Sequence, residues 1–402
     1  MPDIGFSGLL LVAVIAFLSP LLVGLAPRLR VPAVVLEIVA GIAVGPAGLG
    51  WVTPDDLIEI LALLGLAMLL FLAGLEIDPA RLRGRLLRVP AAGFAVSFAV
   101  ALAVGAALAA TGLVSSPLFV AIVLTATSLG LVIPVLRDAG ESGSELGQLT
   151  IAGSSIADFA AVILLSLFFS GEASSPGAKL VLLGGFVVLA AAAGLTLAAG
   201  GRSARITGVL TRLQDTTVEI RVRGAVVLLV GFLALAQRLG LEVILGAFIA
   251  GAILKVVDRD PGSHPHFHLK LEAIGYGLVI PVFFVSSGMR FDLGSLVGNA
   301  ATLARVPIFL LAILAARGLP ALLYRPVVGT RRSITAGLLQ ATTLPFVVAA
   351  TQIGMELGLL TRANGAALVA AGLVSVLVFP AAALTVLRGR SRSPAPRAPA
   401  MP

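Results

Sequence analysis

A single acidic residue, Asp158, lies near the middle of the apolar stretch LTIAGSSIADFAAVILLSLFF, which covers positions 149–169. A stretch of this length can cross a bilayer as one helix. Asp158 is about twelve residues into the predicted span, or ~18 Å deep at a rise of ~1.5 Å per residue, which is close to the bilayer centre. A charged aspartate at that depth costs at least ~2.5–3.5 kcal/mol. The carboxylate must therefore be protonated, paired with a cation, or hydrated by a cavity.

A carboxylate that holds either a proton or a metal cation, but not both, can exchange one for the other. Its oxygens are hard ligands suited to Na⁺ or K⁺, and nearby hydroxyls or free carbonyls can complete the shell. Ser154 and Ser155, one turn before Asp158, are candidate ligands. The alternative is that Asp158 stays protonated and only forms hydrogen bonds between helices.

Two other apolar segments carry hydroxyl groups next to helix breakers. In the first, LFVAIVLTATSLGLVIPVL, three hydroxyl residues precede a glycine and a proline; the candidate site residues are Thr125, Thr127 and Ser128. In the second, ITAGLLQATTLPFVVAATQIG, the corresponding residues are Gln340, Thr342, Thr343 and Pro345. Interrupted backbone at membrane depth is tolerated where it is buried in protein or lines a wet cavity.

The two interrupted segments are seven spans apart along the chain, an odd number, so they cross the membrane in opposite directions. Paired interruptions in oppositely oriented halves indicate an inverted-repeat transporter with its binding site at the midplane. The alternative for each segment alone is ordinary helix contact through Ser and Thr, with a proline kink.

The composition is that of a membrane protein. Of the 402 residues, 58% are hydrophobic and 12% are charged, and the mean hydropathy is +1.09. The chain has no cysteine, which excludes disulfides and thiolate metal sites. Its three histidines all lie within 264–268, which excludes a histidine metal centre in the membrane and a Ser/His/Asp catalytic set. We therefore expect neither an enzyme nor a cofactor.

Thirteen apolar segments are candidates for membrane spans. They cover roughly 6–26, 32–50, 57–75, 90–111, 117–136, 146–169, 179–199, 220–239, 242–256, 272–288, 300–323, 333–354 and 363–387. With the N-terminus outside, alternation of these spans puts twenty-two of the 28 basic residues on the inner face and four on the outer face. That asymmetry predicts a multi-pass protein of the cell inner (plasma) membrane with a cytoplasmic C-terminus. It also explains the net charge of +8 without a nucleic-acid partner.

The connections between the spans are short, so residues 1–387 are expected to form one transmembrane domain. Residues 388–402, RGRSRSPAPRAPAMP, are rich in Pro and basic residues and predict a disordered cytoplasmic tail. Arg317 lies inside the eleventh span and stays protonated, so it cannot exchange protons. Its predicted role is to balance charge near the crossed helix ends; the alternative is snorkelling to the inner face.

Six blocks of sequence, in order along the chain, resemble successive signatures of the monovalent cation/proton antiporters. They are VLEIVAGIAVGPAGLG, LAMLLFLAGLEIDPARLR, LTATSLGLVIPVLRDAG, ELGQLTIAGSSIADFAAVILL, LGAFIAGAIL and IPVFFVSSGMRFDL. The similarity is greatest to the branch that includes bacterial Na⁺/H⁺ exchangers and the membrane part of potassium efflux systems.

The resemblance implies an all-α polytopic protein of about thirteen helices with inverted repeats and two crossed, discontinuous helices. It implies core helices at about 90–169 and 300–387, with the remainder forming a scaffold through which a homodimer assembles. Asp158 takes the place of the aspartate that carries cation and proton in turn, and Arg317 that of the family's basic residue. Thr125 and Thr127 would lie at the first helix break, and Thr342 and Thr343 at the second.

One position departs from the family pattern. Electrogenic members carry a second aspartate immediately before the transporting one, and electroneutral members typically an asparagine, whereas this chain has Ala157. The resemblance therefore suggests one-for-one, electroneutral exchange.

The expected function is secondary antiport of H⁺ against Na⁺ or K⁺ by an elevator-like movement of core against scaffold. Asp158 would bind proton and cation competitively, and membrane lipid would be the surrounding partner. The alternatives are a cation-coupled carrier of a small organic solute on the same fold, and a channel. The chain has no repeated pore loop or ring of charges of the kind that channels use. The choice between Na⁺ and K⁺ stays open.

Overall fold

The structure, a computed structural model, describes residues 6–25, 31–76, 84–169, 176–200, 219–257 and 266–388. Within these ranges the regular structure is entirely helical, as predicted. The first helices are α1 (Phe6–Leu25), α2 (Ala33–Val44), α3 (Asp56–Glu76), α4 (Arg85–Ala110), α5 (Pro117–Thr125), α6 (Leu129–Asp138), α7 (Glu145–Phe169) and α8 (Pro176–Gly200). The expected tail beyond Arg388 lies outside the described residues.

The second half continues with α9 (Ile220–Arg238), α10 (Val243–Val257), α11 (Phe267–Ile274), a π-helix (Gly275–Val279), α12 (Ile280–Met289), α13 (Leu293–Val297) and α14 (Ala300–Gly318). A 3₁₀ helix (Pro320–Tyr324), α15 (Arg325–Gln340), α16 (Pro345–Glu356) and α17 (Arg362–Arg388) complete it. Each predicted span corresponds to one helix or to a pair of half-helices. In the described ranges, nine stretches are long and apolar enough to cross a membrane, and three shorter apolar helices accompany them.

Several predicted bounds differ from the observed helices, such as the span 32–50, whose helix ends at Val44. Two spans also change helix type along their length, and a proline lies next to each change. The predicted span 300–323 ends as an α-helix at Gly318 and continues as the 3₁₀ helix that begins at Pro320. The predicted span 272–288 begins earlier, at Phe267, and contains the π-helix immediately before Pro281. A proline has no N–H for the i→i−4 ladder, so the helix around it adopts a tighter or a wider turn.

Both interruptions predicted from hydroxyls and breakers are present. The first break separates α5 from α6 at Ala126, Thr127 and Ser128. The second break separates α15 from α16, and Pro345 begins the new half-helix. Pro is well suited to a first helical position because the N–H it lacks would have no partner there.

The helices pack in two groups. The α3 group centres on α3 packed against α10 and on α2 packed against α12, with α1, α8 and α9 around them. The α7 group contains both broken pairs together with α4, α7, α14 and α17. Fewer contacts, mainly of α7 with α8 and α10, join the two groups.

Glycines allow direct backbone contact inside the α3 group. A Cβ at Gly251 of α10 would lie 1.9 Å from the carbonyl oxygen of Phe71, and one at Gly74 of α3 would lie 2.1 Å from that of Phe248. A Cβ cannot occupy either position unless the helices separate. In a bilayer, where no hydrophobic force holds helices together, such close packing supplies much of the attraction between them.

The two ends of the bundle differ in charge. Here the basic face is the end at which α6 ends and α15 begins, and it carries the contacts of Arg332 with Glu141 and of Lys270 with Glu219. The opposite face carries the ion pair of Arg290 with Glu59.

Replacing Gly251 by leucine should destabilise the protein. The added side chain would meet the backbone of α3, and overpacking of this kind typically costs about 1–3 kcal/mol. The melting temperature of the purified protein should fall, and less of it should elute as a single species in gel filtration. Gly231→Leu is the matched control, because a Cβ at Gly231 would meet nothing within 4 Å. Equal losses in the two variants would contradict this account of α3–α10 packing.

Candidate ion-binding site

The two helix breaks cross, and each supplies hydrogen-bond partners for the other. The N–H of Ser128 donates to the carbonyl of Thr342 at 2.9 Å. The Ser128 hydroxyl accepts a hydrogen bond from the N–H of Leu344 at 3.2 Å. The Thr127 hydroxyl donates to the carbonyl of Gln340 at 2.8 Å. Backbone groups that the interruptions free are thereby paired in a region where water cannot solvate them.

Asp158 of α7 faces the first break. Its Oδ1 accepts a hydrogen bond from the backbone N–H of Thr127 at 3.1 Å, just before α6 begins. The start of a helix carries a partial positive charge, so this position favours the ionised carboxylate. Asp158 is only partly buried, whereas Thr127 and Ser128 beside it are buried.

A cavity of about 100 Å³ contains the Asp158 side chain. Its lining includes Thr127, Ser128 and Pro345 at the crossed breaks and, at its other end, Glu76 and Tyr276. Glu76 is exposed at the last residue of α3, and Tyr276 is 48% exposed. The cavity therefore leads from Asp158 towards the basic face.

Arg317 is buried in the α7 group, with 2% of its surface exposed, so it does not snorkel. Its guanidinium donates three hydrogen bonds: from Nε to the Thr127 hydroxyl at 2.9 Å, from NH1 to the Ser97 hydroxyl at 3.4 Å, and from NH2 to the Gly153 carbonyl at 3.3 Å. Thr127 thus contacts both Arg317, through its hydroxyl, and Asp158, through its N–H. Thr127 lies between the guanidinium and Asp158, so the positive charge of Arg317 does not form a hydrogen bond to the carboxylate.

The second break is held from two further sides. The Gln340 side-chain amide donates to the Tyr324 hydroxyl at 3.0 Å. The Ser375 hydroxyl of α17 accepts from the Thr343 N–H at 3.2 Å and lies 2.9 Å from the Thr343 carbonyl. The 3₁₀ helix and α17 therefore hold the second break in place from outside the crossing.

The remaining candidates lie around this centre with different neighbours. The hydroxyls of Thr125 and Thr342 donate to carbonyls of their own helices, those of Ile122 and Leu338. Ser154 and Ser155 are buried on α7, and the Ser154 hydroxyl has no hydrogen-bond partner among the described residues. The same holds for the Thr343 hydroxyl. The part of each in cation binding stays a prediction.

Residues 13–388 match the transmembrane sodium/hydrogen exchanger family. The chain belongs to this family. A similar relative is the putative Na⁺/H⁺ antiporter YjbQ of Bacillus subtilis, 29% identical over 94% of this chain; the chain spans 63% of that relative's length. The Na⁺/H⁺-K⁺ antiporter GerN of Bacillus cereus is 27% identical over 92% of this chain and 93% of its own length.

A solved structure shares the fold of this sodium/hydrogen exchanger family member. The sodium proton antiporter MjNhaP1 from Methanocaldococcus jannaschii aligns with a TM-score of 0.67 at 19% identity, covering 95% of this chain and 98% of the other. The all-helical architecture with crossed, interrupted helices is thereby confirmed.

Sequence reasoning missed three polar residues that hold the site of this family member: Ser97, Tyr324 and Ser375. A usable signal existed for two of them, because Ser97 and Ser375 are isolated hydroxyls in otherwise apolar spans. Tyr324 is one of two tyrosines in the chain. Isolated polar side chains in membrane helices usually face the protein interior, but the pattern does not say which partner each one meets.

Arg317→Lys should lower the thermal stability of the purified protein, although the charge is kept. A lysine ammonium carries its donors on one atom and cannot reach Thr127, Ser97 and Gly153 together, so at least one hydrogen bond to a charged group is lost, at about 1.5–3 kcal/mol. The measurement is the melting temperature in detergent.

Arg305→Lys is the matched control, because Arg305 makes one hydrogen bond, to Asn364, and is only partly buried. If both lysine variants have the melting temperature of wild type, the hydrogen bonds of the Arg317 guanidinium do not stabilise the fold.

Proposed function

We propose that this chain exchanges H⁺ for Na⁺ or K⁺ across a membrane, with Asp158 as the shared carrier of proton and cation. The observation that carries the proposal is the partly exposed Asp158 carboxylate in a small cavity beside two crossed helix breaks. Membership of the sodium/hydrogen exchanger family and the names of relatives such as GerN support the same activity.

The geometry favours competition at one carboxylate. A bound proton removes the charge that a cation needs, and a bound cation displaces the proton. Arg317 contacts Thr127 rather than Asp158, so the carboxylate is not held in an ion pair and stays available for exchange. The Ser128 hydroxyl lines the same cavity as Asp158, and Ser154 precedes Asp158 by one helical turn; both are proposed as members of the cation's shell.

The size of the cavity argues for an ion over an organic solute. Its volume of about 100 Å³ is room for only a few waters at ~30 Å³ each, or for an ion with part of its hydration shell. Pockets for drug-sized ligands typically occupy ~300–1,000 Å³. A carrier of organic solutes therefore has no specific observation in its favour.

Electroneutral exchange is part of the proposal. The residue before Asp158 is the fully buried Ala157, so the position at which electrogenic members carry a second aspartate has no carboxylate in this chain. One ionisable carboxylate that alternates between one proton and one monovalent cation moves no net charge per cycle.

We assign the α7 group as the moving core and the α3 group as the scaffold. Two hydrogen bonds between them lie near the opposite face: Gln352 Nε2 to the Ser287 hydroxyl at 3.1 Å, and the Glu242 N–H to the Ser166 hydroxyl at 3.3 Å. Near the basic face, by contrast, the cavity separates the two groups. The proposed elevator step would break these two contacts and carry Asp158 towards the opposite face.

Wide cavities already approach from the opposite face. One of about 610 Å³ is lined by residues that include Ser287, Asp292 and Gln352, and one of about 230 Å³ includes Glu59 and Glu242. Hydrogen bonds from the side chain and backbone of Ser295 lower the pKa of Asp292, so its carboxylate stays charged at this entrance, beside Arg290 and Arg362. The scaffold and dimer roles, the inner-membrane location and the outside N-terminus are proposed on the sequence pattern described above.

Asp158→Asn should abolish exchange, because the amide can neither release a proton nor bind a cation with a full charge. The measurement is the response of a pH-sensitive dye in proteoliposomes to Na⁺ or K⁺ added in turn. The matched control is Glu145→Gln, an exposed carboxylate in the first turn of the same helix, which should keep wild-type rates.

Wild-type vesicles add two readouts to that experiment. Competition predicts that the apparent affinity for the cation falls about tenfold for each unit of pH below the pKa of the carrier. Electroneutrality predicts that the initial rate does not change when the membrane potential is clamped. Dye responses in Asp158→Asn equal to those of wild type would refute the assignment of the carrier.

Gln352→Ala should shift the protein away from the conformation described here. Loss of one hydrogen bond of about 1 kcal/mol changes the equilibrium between two conformations about fivefold. The chain is naturally free of cysteine, so a single Gly130→Cys reporter in the Asp158 cavity gives a clean signal. Its labelling by a maleimide should slow in the Gln352→Ala background.

Gln237→Ala, on the exposed end of α9, is the control and should leave the labelling of the reporter unchanged. Unaltered labelling in Gln352→Ala would mean that the contact with Ser287 does not hold the two groups together.

A further inference from the structure

An open apolar groove lies in the α7 group, away from the ion site and both entrances. It occupies about 630 Å³ between α14, the 3₁₀ helix and α15. Its walls include Leu311, Leu314, Leu319, Leu322, Ile334 and Leu338. Leu311, Leu319, Leu322 and Ile334 are between 42% and 64% exposed, so the groove faces the membrane and not the protein interior.

Two glycines form the floor of the groove. Gly318 of α14 and Gly337 of α15 bring the two backbones together, and a Cβ at Gly337 would lie 2.8 Å from the Gly318 carbonyl oxygen. Because neither residue has a side chain, a furrow remains between the larger side chains on either side. In a bilayer, only hydrocarbon can fill such a furrow.

Arg325 follows the groove residue Leu322 by three positions, on the side of the basic face. Leu319 and Arg325 are the cap residues of the 3₁₀ helix, and both have helical dihedral angles. Side chains three residues apart in such a helix lie on the same side, which places Leu319, Leu322 and Arg325 in one row. Arg325 is exposed and forms no hydrogen bond or ion pair with any residue that the structure describes.

Two other arginines on α15 are already engaged. Arg331 donates to the carbonyls of Val386 and Leu387, and Arg332 contacts Glu141. Among the arginines of α15 that the structure describes, Arg325 is therefore the one available to bind an external anion.

We propose that an anionic glycerophospholipid binds here, with an acyl chain in the groove and its phosphate on Arg325. A guanidinium binds phosphate oxygens through two parallel hydrogen bonds, which a lysine could not do. Basic residues at this face match the leaflet in which anionic lipids concentrate. The apolar walls and the charged end thus fit the two parts of one lipid molecule.

The bound lipid would support the helices that hold the ion site. Gly318 follows Arg317 directly, and Leu338 precedes Gln340 by two residues on the same helix. A chain packed between α14 and α15 restores the contacts that the two glycines leave unmade, and so holds Arg317 and Gln340 at their places in the crossing. Transport is not needed to observe this binding.

The test is lipid retention by the full-length protein in detergent, measured by native mass spectrometry with phosphatidylglycerol and phosphatidylcholine in competition. We expect wild type to retain one phosphatidylglycerol in preference, and Arg325→Gln to lose about fivefold of that preference. Arg223→Gln is the matched control, because it removes the same charge from an exposed arginine near the start of α9, in the other helix group. It should keep the preference of wild type.

A second pair of variants tests the groove itself. Ala315→Trp and Leu311→Trp each place a large ring in the groove, and either one, if it elutes as a single species, should lose retention of both lipids. A melting temperature that rises with phosphatidylglycerol in wild type, but not in these variants, is the second expected result. Glycerol phosphate alone should have no effect, because it lacks the acyl chain.

Three results would overturn the proposal. Equal loss of preference in Arg325→Gln and Arg223→Gln would mean that the protein's net charge, and not a site at Arg325, causes the preference for anionic lipid. Unchanged retention in both tryptophan variants would place the lipid elsewhere. Binding of glycerol phosphate with the affinity of the lipid would make Arg325 a site for free phosphate.

Discussion

The whole site depends on one constraint: backbone that leaves a helix within a bilayer must find hydrogen-bond partners inside the protein. Two breaks that cross meet this constraint together, since the carbonyls and amides that each one frees are taken up by the other. Ser128 does so with both its N–H and its hydroxyl, towards Thr342 and Leu344. The backbone groups of Ser128, Thr342 and Leu344 at the crossing therefore have hydrogen-bond partners, so the crossing can lie at membrane depth without a large energetic penalty.

The position of Arg317 follows from the same constraint and determines what Asp158 can do. The guanidinium is held by neutral oxygens, and Thr127 stands between it and the carboxylate. The positive charge still offsets the burial of a carboxylate nearby, but no ion pair occupies the oxygens. An acid that is partly exposed, stabilised by helix ends and unpaired is a group that a proton and a cation can share.

The α3 group is tightly packed, whereas the boundary between the two helix groups is more loosely packed. Within the α3 group, backbone contacts at Gly74 and Gly251 leave no room for sliding. Between the groups, contacts are fewer and cavities lie at both ends. The groove between α14 and α15 is a different kind of gap: it lies inside one group, is lined by apolar side chains and opens to the membrane, so it offers no path for ions.

The sequence by itself determined those features whose residues would be costly to place in the hydrocarbon of a bilayer. Asp158 in an apolar span, the hydroxyls and prolines of two segments, the succession of apolar spans and the uneven basic residues are all local patterns. Each of them has few physical explanations in hydrocarbon. The resemblance of six blocks to one family joined them into a fold and an activity. These signals depend on what a residue would cost in lipid, and that cost is set by its type and its depth.

Only the tertiary structure decided which groups meet. Arg317 is about as far from a span end as a snorkelling side chain can reach, so its depth alone allowed either direction; the acceptors on Thr127, Ser97 and Gly153 decided for the interior. The hydroxyls of Thr125 and Thr342 bond back to their own helices, while Ser128, of the same type, bridges the two breaks. Tyr324 and Ser375 became part of the site through helices far apart in sequence. Such pairings are set by how helices cross and how closely glycines let them approach, and no local pattern in a single chain records that geometry.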